Sequence, residues 1–248
     1  MKINPKISVI TVCYNSVEEI ERTILSVVNQ TYKNIEYIVI DGGSMDGTLD
    51  VIKKYLDKIA CFITEPDDGI YDAMNKGIKR STGEWVNFMN AGDVFADKEV
   101  LNSIFNNNQL FSGYDVIYGK SLSTHAGKMK YINTNPNPKA ILHYPIYRHG
   151  ASFTKANVHK NNLFDLSRKD LKYALDYNHI FLLYNSGYKF KYVDRDVMIF
   201  ELDGTSNNPF ENRLLTYKIT SQKGSNVLAL FWLVYSCFTL VVKKVLNL

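Results

Sequence analysis

The sequence predicts an α/β fold built on a mostly parallel central sheet, and three observations carry that prediction. In roughly the first hundred residues, continuous apolar runs alternate with segments of helical spacing. Each apolar run stops on a polar cluster. The second half changes character, with a proline-bearing loop segment followed by one long helical stretch.

The first run, "ISVITVCY", lies between Pro5 and Asn15 and is apolar throughout, as a strand buried on both faces should be. It is read as a strand and not a signal peptide, because polarity returns quickly and no small-residue cleavage site follows. Ser16 is placed to cap a helix whose apolar face is Val17, Ile20, Ile24, Val27 and Val28. "IEYIVID" is a second strand, followed by "GGSMDGT" and a helix carrying Leu49, Ile52, Tyr55 and Leu56. "ACFIT" is a third strand, Ile70 to Lys79 an amphipathic helix, and "WVNFM" a fourth strand. Strands and helices alternating across such short loops form right-handed βαβ units, hence a parallel sheet. Farther on, "DVIYGK" is a strand and "NTNPNPKAILHYPIYRHG" a loop. "DLKYALDYNHIFLLYNSGY" has the pattern of a helix closed by Gly187, and "KFKYV" and "VMIFEL" are two short strands.

In open parallel sheets, ligands collect beyond the carboxyl ends of the strands. Here those ends carry Asn15, Asp41, Glu65 to Asp68, and Asn90 to Asp93, which together define a rim rich in carboxylates. Composition narrows what such a rim serves. A net charge of +4 with no dense basic tract argues against a nucleic-acid partner. The three cysteines, Cys13, Cys61 and Cys237, show no CxxC spacing, which fits a reducing cytoplasm and excludes a disulfide framework. The segment after the first strand, "CYNSVEE", lacks the glycines of a dinucleotide site, and no phosphate-loop lysine motif occurs.

Asp93, in "WVNFMNAGDVF", is the pivotal residue and has two readings. It could cap a following helix within a polar turn. Alternatively, it meets a charge that the chain does not carry. Magnesium and manganese take oxygen ligands and often use only one or two protein carboxylates together with phosphate oxygens. Asp93 therefore suffices to place a divalent cation beside a nucleoside diphosphate.

Four stretches, "ISVITVCYN", "IEYIVIDGGSMDGT", "EPDDGIYDAMNKGI" and "GEWVNFMNAGDVF", together resemble the nucleotide-sugar half of a family 2 glycosyltransferase. The likeness is to the bacterial branch that builds O-antigen, capsule and other surface polysaccharides. It runs from about Ile7 to Phe95 and, more loosely, from His149 to Ser206. It implies a GT-A fold: a Rossmann-like sheet flanked by helices, with a C-terminal acceptor-side half. It also implies a UDP-sugar donor, Mn2+ or Mg2+ as cofactor, and inverting transfer to a glycan acceptor. On this reading residues 1–222 form the GT-A domain, with 1–96 the nucleotide-sugar half and 97–222 the acceptor and catalytic half.

By the same resemblance, Thr11 and Asn15 line the nucleotide pocket, Asp41 bonds the uridine-like moiety, and Asp67 contacts the base. Asn90 to Asp93 stands in the place of the family's DxD element. Asp93 keeps the metal-binding aspartate, and the neutral Asn90 replaces the earlier acid and can bond a ribose hydroxyl. Met74 replaces an arginine that many relatives carry. "YALDYN" matches the element bearing the catalytic base, which gives Asp176; by spacing alone, Asp176 is one polar-face residue on a helix. Asp165 is read as a turn or capping residue. His149 touches the diphosphate or acceptor, or is structural. Asp203 in "ELDGTS" either helps hold the metal or ends a strand. His125, His143, His159 and His179 are read as structural, and no motif supports covalent catalysis.

Two other functions compete. A sugar nucleotidyltransferase would need a basic, glycine-rich loop where this chain has "CYNSVEE". A catalytically degenerate glycan-binding module would lack the metal aspartate or the base. The segment 223–248 is apolar, with no charge from Val227 to Val242, and is shorter than the roughly 20 residues of a spanning helix. It is either a core helix or a membrane-surface helix, with Trp232 and Tyr235 at the interface and Lys243 and Lys244 facing anionic headgroups. A polyprenyl-diphosphate-linked acceptor favours the second, with the protein peripheral on the cytoplasmic face of the cell membrane.

Overall fold

In the computed structural model, residues 4–106, 108–125, 128–132, 134–201 and 208–222 are described, together with 230, 231, 233–235 and 237–239 near the C-terminus. The first half runs β1 (Ile7–Cys13), α1 (Ile20–Val28), β2 (Ile35–Asp41), α2 (Thr48–Lys53), β3 (Cys61–Thr64), α3 (Ile70–Arg80) and β4 (Trp85–Phe88). Next come β5 (Val94–Phe95), α4 (Val100–Phe105), α5 (Asn108–Phe111), β6 (Val116–His125) and β7 (Lys128–Ile132). The chain continues through β8 (Ser152–Lys155), α6 (Ala156–Asn161), α7 (Leu175–Asn185), β9 (Phe190–Glu201) and α8 (Pro209–Thr220). The strands form one sheet in the order β3-β2-β1-β4-β8-β6-β9-β5, with β7 on β6.

The four strands read from the first half are parallel, with β1 between β2 and β4. The run Ile7–Cys13 is buried throughout, and its residues divide between two cores. Ile7 and Val9 pack with Ile20, Ile24 and Val27 of α1 and with Ile104 and Phe105 of α4. Ile10 and Val12 pack on the opposite face with Met74 and Ile78 of α3 and with Ile180 and Phe181 of α7. Helix α3 approaches β1 closely because residue 77 is glycine: a Cβ there would lie 2.5 Å from Ile10 Cγ2.

Three expectations need correction. The predicted cap at Ser16 is absent, because its hydroxyl turns back to donate to Tyr14 O at 3.1 Å. Residues 16–19 instead make a turn, the helix starts at Ile20, and Val17 is exposed. The predicted helix over 170–188 is broken: Lys172 adopts φ 48°, and a tight 3-10 segment, Lys169–Ala174, precedes α7. The two short strands predicted at the C-terminal side are one, β9, pairing along β6 through an irregularity at Lys120. Its polar middle is paired outward, Asp194 with Lys120 Nζ at 2.8 Å and Arg195 with Asp97 at 2.6 Å.

A buried carboxylate ties the first βαβ unit together. Burial pushes the Glu36 carboxyl up, but hydrogen bonds from Ser8 Oγ, Thr82 N, Thr82 Oγ1 and Lys6 Nζ outweigh it and hold the pKa at about 2. The folded value lies below the ordinary 4.5, so this contribution is present above about 4.5 and is lost as pH falls toward 2. A displacement of that size corresponds to about 3 kcal/mol. Glu36→Gln is expected to lower stability at neutral pH by an amount of that order. It should also flatten the acid limb of stability against pH, as measured by urea unfolding between pH 7 and pH 3.

Candidate active site

One cleft opens at the carboxyl ends of β1 and β4, and a second lies at the start of α7. The first, about 310 Å3, is lined by Cys13 and Tyr14 at the end of β1, Asp67 and Ile70 at the start of α3, and Asn90 and Ala91 after β4. Asp67 reaches it by packing on Gly42, where an added Cβ would sit 2.6 Å from Asp67 Oδ2. The second, about 300 Å3, is lined by Tyr147, Arg148, Tyr173, Asp176, Tyr177 and Asn212.

Asn90 to Asp93 is held as a loop by helix α1. Thr23 Oγ1 donates to Asp93 O at 2.8 Å and accepts from Gly92 N at 3.0 Å, while Arg22 Nη2 donates to Gly92 O at 2.6 Å. Gly92 takes φ 95°, which glycine adopts without strain. β5 follows this loop directly, so Asp93 does not cap a helix. Its carboxylate accepts no hydrogen bond among the described residues. Burial pushes its pKa up to about 6, against the opposing pull of His149, Arg148 and Arg22. Arg148 and Arg22 come to it from distant points of the sequence, yet neither pairs with its carboxylate within 4 Å among the described residues.

The two clefts meet at a three-residue chain of hydrogen bonds. Asn90 Nδ2 lies 3.0 Å from His149 Nε2, and His149 Nδ1 lies 3.3 Å from Asp176 Oδ2. With the Asn90 amide donating, Nε2 accepts and Nδ1–H points at the Asp176 carboxylate. Asp176 is the second residue of α7, because the break at Lys172 starts the helix there, and the N-terminal turn favours a negative charge. Burial raises the Asp176 pKa, but the hydrogen bond from His149, the Tyr177 N–H at 2.7 Å and the charge of Arg148 bring it below the ordinary value. Helix α7 is buried nearly all round, so Asp176 does not belong to a solvated polar face.

Residues that sequence reasoning missed hold this chain in place. Asn87 Nδ2 donates to Gly150 O at 2.9 Å and Ser152 O at 2.8 Å, fixing the short 3-10 turn that bears His149. Tyr71 Oη donates to Tyr173 O at 2.6 Å and lies 3.4 Å from Asp176 N, linking α3 to the start of α7.

Residues 8–125 match the pattern of glycosyl transferase family 2. The chain belongs to this family. An uncharacterized glycosyltransferase of Rickettsia prowazekii is 32% identical over 188 residues, covering 71% of this chain and 57% of that protein. The Escherichia coli protein UDP-Glc:alpha-D-GlcNAc-diphosphoundecaprenol beta-1,3-glucosyltransferase WfaP is 34% identical over 99 residues, 40% of this chain and 39% of that protein. The matched stretches thus span well under two thirds of these relatives. Staphylococcus aureus TarS 1–349, solved in complex with UDP-GlcNAc, superposes with a TM-score of 0.70 at 19% identity, over 94% of this chain and 71% of TarS. That likeness establishes the GT-A fold.

In this family 2 glycosyltransferase the other expected nucleotide contacts divide. Asn15 is exposed beside the first cleft at φ 47°, with its Oδ1 taking Met45 N at 3.0 Å. Thr11 and Asp41 do not line the cleft. Thr11 has the parity of Ile7 and Val9, so it turns toward Tyr37 Oη at 3.0 Å and Met89 O at 2.7 Å. Asp41 is fully buried, and its oxygens take Gly43 N, Ser44 N, Ser44 Oγ and Thr64 Oγ1; it shapes the "GGS" loop from beneath. Met74 is fully buried in the core under α3 and offers nothing to a nucleotide. Part of the acidic rim is already neutralised, with Lys76 pairing Glu65 at 3.0 Å and Asp72 at 3.3 Å.

Asp165 accepts from Ser167 N and Oγ within its own turn. His159 and His179 are buried and stacked 5.0 Å apart, and burial lowers both pKa values, His179 to about 4, which keeps them neutral. Burial, reinforced by Asp41, pushes the Cys13 thiol up, against a nucleophilic role. Asp203 lies outside the described residues.

Proposed function

We propose that the chain transfers a sugar from a UDP-sugar to a glycan acceptor carried on a polyprenyl diphosphate, with inversion, in surface-polysaccharide assembly. The observation that carries this is the position of Asp176. It lines the second cleft and is joined through His149 to Asn90, which lines the first. In the proposed step the acceptor hydroxyl attacks C1 of the donor sugar as Asp176 takes its proton. The bond from C1 to the diphosphate breaks, and its electron pair leaves with the nucleoside diphosphate. A single displacement of this kind inverts the anomeric centre. The first cleft, with Asp67 and Asn90, takes the nucleotide, and residues 1–96 and 97–222 supply the donor and acceptor sides respectively. His149 orients Asp176 on this reading.

The residues fit a divalent cation, Mn2+ or Mg2+. No group of three or more His, Cys, Asp or Glu side chains capable of holding a metal occurs among the described residues. Among the described residues, the half-buried Asp93 carboxylate accepts no hydrogen bond, which suits a hard cation completed by phosphate oxygens. When bound, that cation would neutralise charge on the departing diphosphate. The donor in the TarS complex and the donor and carrier in the name of WfaP support the UDP and lipid-diphosphate choices. Screening donor hydrolysis over a panel of nucleotide sugars, with and without manganese, tests the proposal. One UDP-sugar is expected to be turned over only with the cation; release from none of them would refute it.

Attachment to the cytoplasmic membrane surface through residues 223–248 is part of the same reading. No helix among the described residues is long and apolar enough to cross a membrane. The described helical residues there expose Leu230, Phe231, Val234 and Phe238 by 49% to 64%. Leu230, Val234 and Phe238, four residues apart, form an apolar stripe on one helix face. Trp232, Lys243 and Lys244 lie outside the described residues. The full chain is expected to float with anionic liposomes and a chain ending near Ser225 to stay at the bottom. Both remaining at the bottom, folded and active, would assign this segment to the core.

A further inference from the structure

Arg148 is the cation at the site that the reaction above does not use. Its backbone is fixed on both sides. Tyr147 is buried and stacked on Tyr118 at 4.6 Å, and Arg148 O accepts from Ala151 N at 2.8 Å. Its guanidinium lies over the ring of Phe200, 4.4 Å from the centroid. The antiparallel register sets Val94 of β5 opposite Ile199 of β9, so the next residues along the two strands are Asp93 and Phe200. Arg148 also lines the Asp176 cleft, and its charge acts on both Asp93 and Asp176. Yet it forms no ion pair or hydrogen bond through its side chain among the described residues. The other arginine acting on Asp93, Arg22, is engaged, donating from Nη2 to Gly92 O at 2.6 Å.

The N–H donors of a guanidinium form a planar fork that matches a phosphate group, and those of Arg148 have no acceptor among the described residues. We propose that Arg148 binds a phosphate group of a diphosphate at the reaction centre. Two sources share that chemistry: the nucleoside diphosphate leaving the donor, and the diphosphate joining the acceptor glycan to its carrier. The choice of sources rests on the function proposed above; the phosphate-binding role itself rests on Arg148 and its surroundings.

Arg148→Gln and Arg148→Lys separate the cases. Calorimetry with Mg2+ compares UDP, GDP, their nucleosides and inorganic pyrophosphate; initial rates compare diphosphate-linked and phosphate-free acceptors. A charge-assisted bidentate contact is worth about tenfold or more in affinity. If the donor is the source, Arg148→Gln weakens diphosphate binding by at least about that factor and leaves nucleoside binding unchanged. If the acceptor is the source, nucleotide affinity holds and KM rises only for the diphosphate-linked acceptor. In either case Arg148→Lys recovers only part of the loss, because an ammonium keeps the charge without the fork. Should the wild-type chain bind no nucleotide, the donor reading fails, and pyrophosphate still decides the role of Arg148. Unchanged diphosphate affinity together with unchanged acceptor KM overturns the proposal. So does an equal loss for the phosphate-free ligands. Thermal unfolding confirms that each variant is folded.

Discussion

Asp176→Asn is expected to keep nucleoside-diphosphate binding and lose sugar transfer. The amide is isosteric and leaves the first cleft intact, but it cannot take a proton from the acceptor hydroxyl. Loss of a general base costs on the order of a hundredfold to ten-thousandfold in rate. The structure sharpens this expectation. Asp176 accepts hydrogen bonds from His149 and from Tyr177 N, both of which favour the ionised form, so the proposed base is ready at neutral pH. His149→Gln should therefore reduce turnover with smaller effects on nucleotide affinity. Its acid limb of rate against pH should move upward, because Asp176 loses a contact that lowers its pKa. Near-normal turnover in Asp176→Asn would move the base elsewhere. Asp165 is a poor successor, since its Oδ1 already takes both Ser167 donors.

Asp93→Asn is expected to abolish cation-dependent nucleotide binding while leaving the fold intact. The unliganded variant should melt no lower than the wild type, because a half-buried carboxylate that accepts no hydrogen bond among the described residues and is penalised by desolvation is replaced by a neutral amide. Asn90→Ala should weaken binding less, by roughly the 1 kcal/mol of a neutral hydrogen bond. It should also slow transfer, because Asn90 holds His149 Nε2. Calorimetry with UDP and manganese, paired with thermal unfolding of the apo proteins, checks both. Equal affinity in wild type and Asp93→Asn would remove the metal role.

Much of the nucleotide half was legible in the sequence because local pattern and tertiary environment agree there. The runs at Ile7 and Ile35 are apolar on both faces, and helices packed on opposite sides of the sheet, α1 and α4 on one and α3 and α7 on the other, bury both. The same uniform burial hides which way a polar residue at a strand end turns. Thr11 and Asp41 look like pocket residues from their positions, but the pleat sends Thr11 to Tyr37 and the "GGS" loop closes over Asp41. Helical spacing carried straight through Lys172, whose positive φ no pattern announces; that break puts Asp176 in the first turn of α7. The Asn90–His149–Asp176 chain joins residues 59 and 27 positions apart, so only the assembled sheet brings them together. The charged stretch Asp194, Arg195 and Asp196 splits the apolar pattern in two, but its charges are paired at the surface and the ladder to β6 resumes past the irregularity there, so β9 is one strand.

One displacement, with Asp176 as the single carboxylate acting on the acceptor, leaves its mark on the anomeric configuration of the first-formed product. Proton NMR of the transfer reaction, run with whichever nucleotide sugar the panel identifies, reads the coupling of the new anomeric proton. The account predicts the configuration opposite to that of the donor at the earliest time points, in the wild-type enzyme and in the residual activity of His149→Gln. A product that retains the donor configuration would require a second displacement and a nucleophile, and would contradict it.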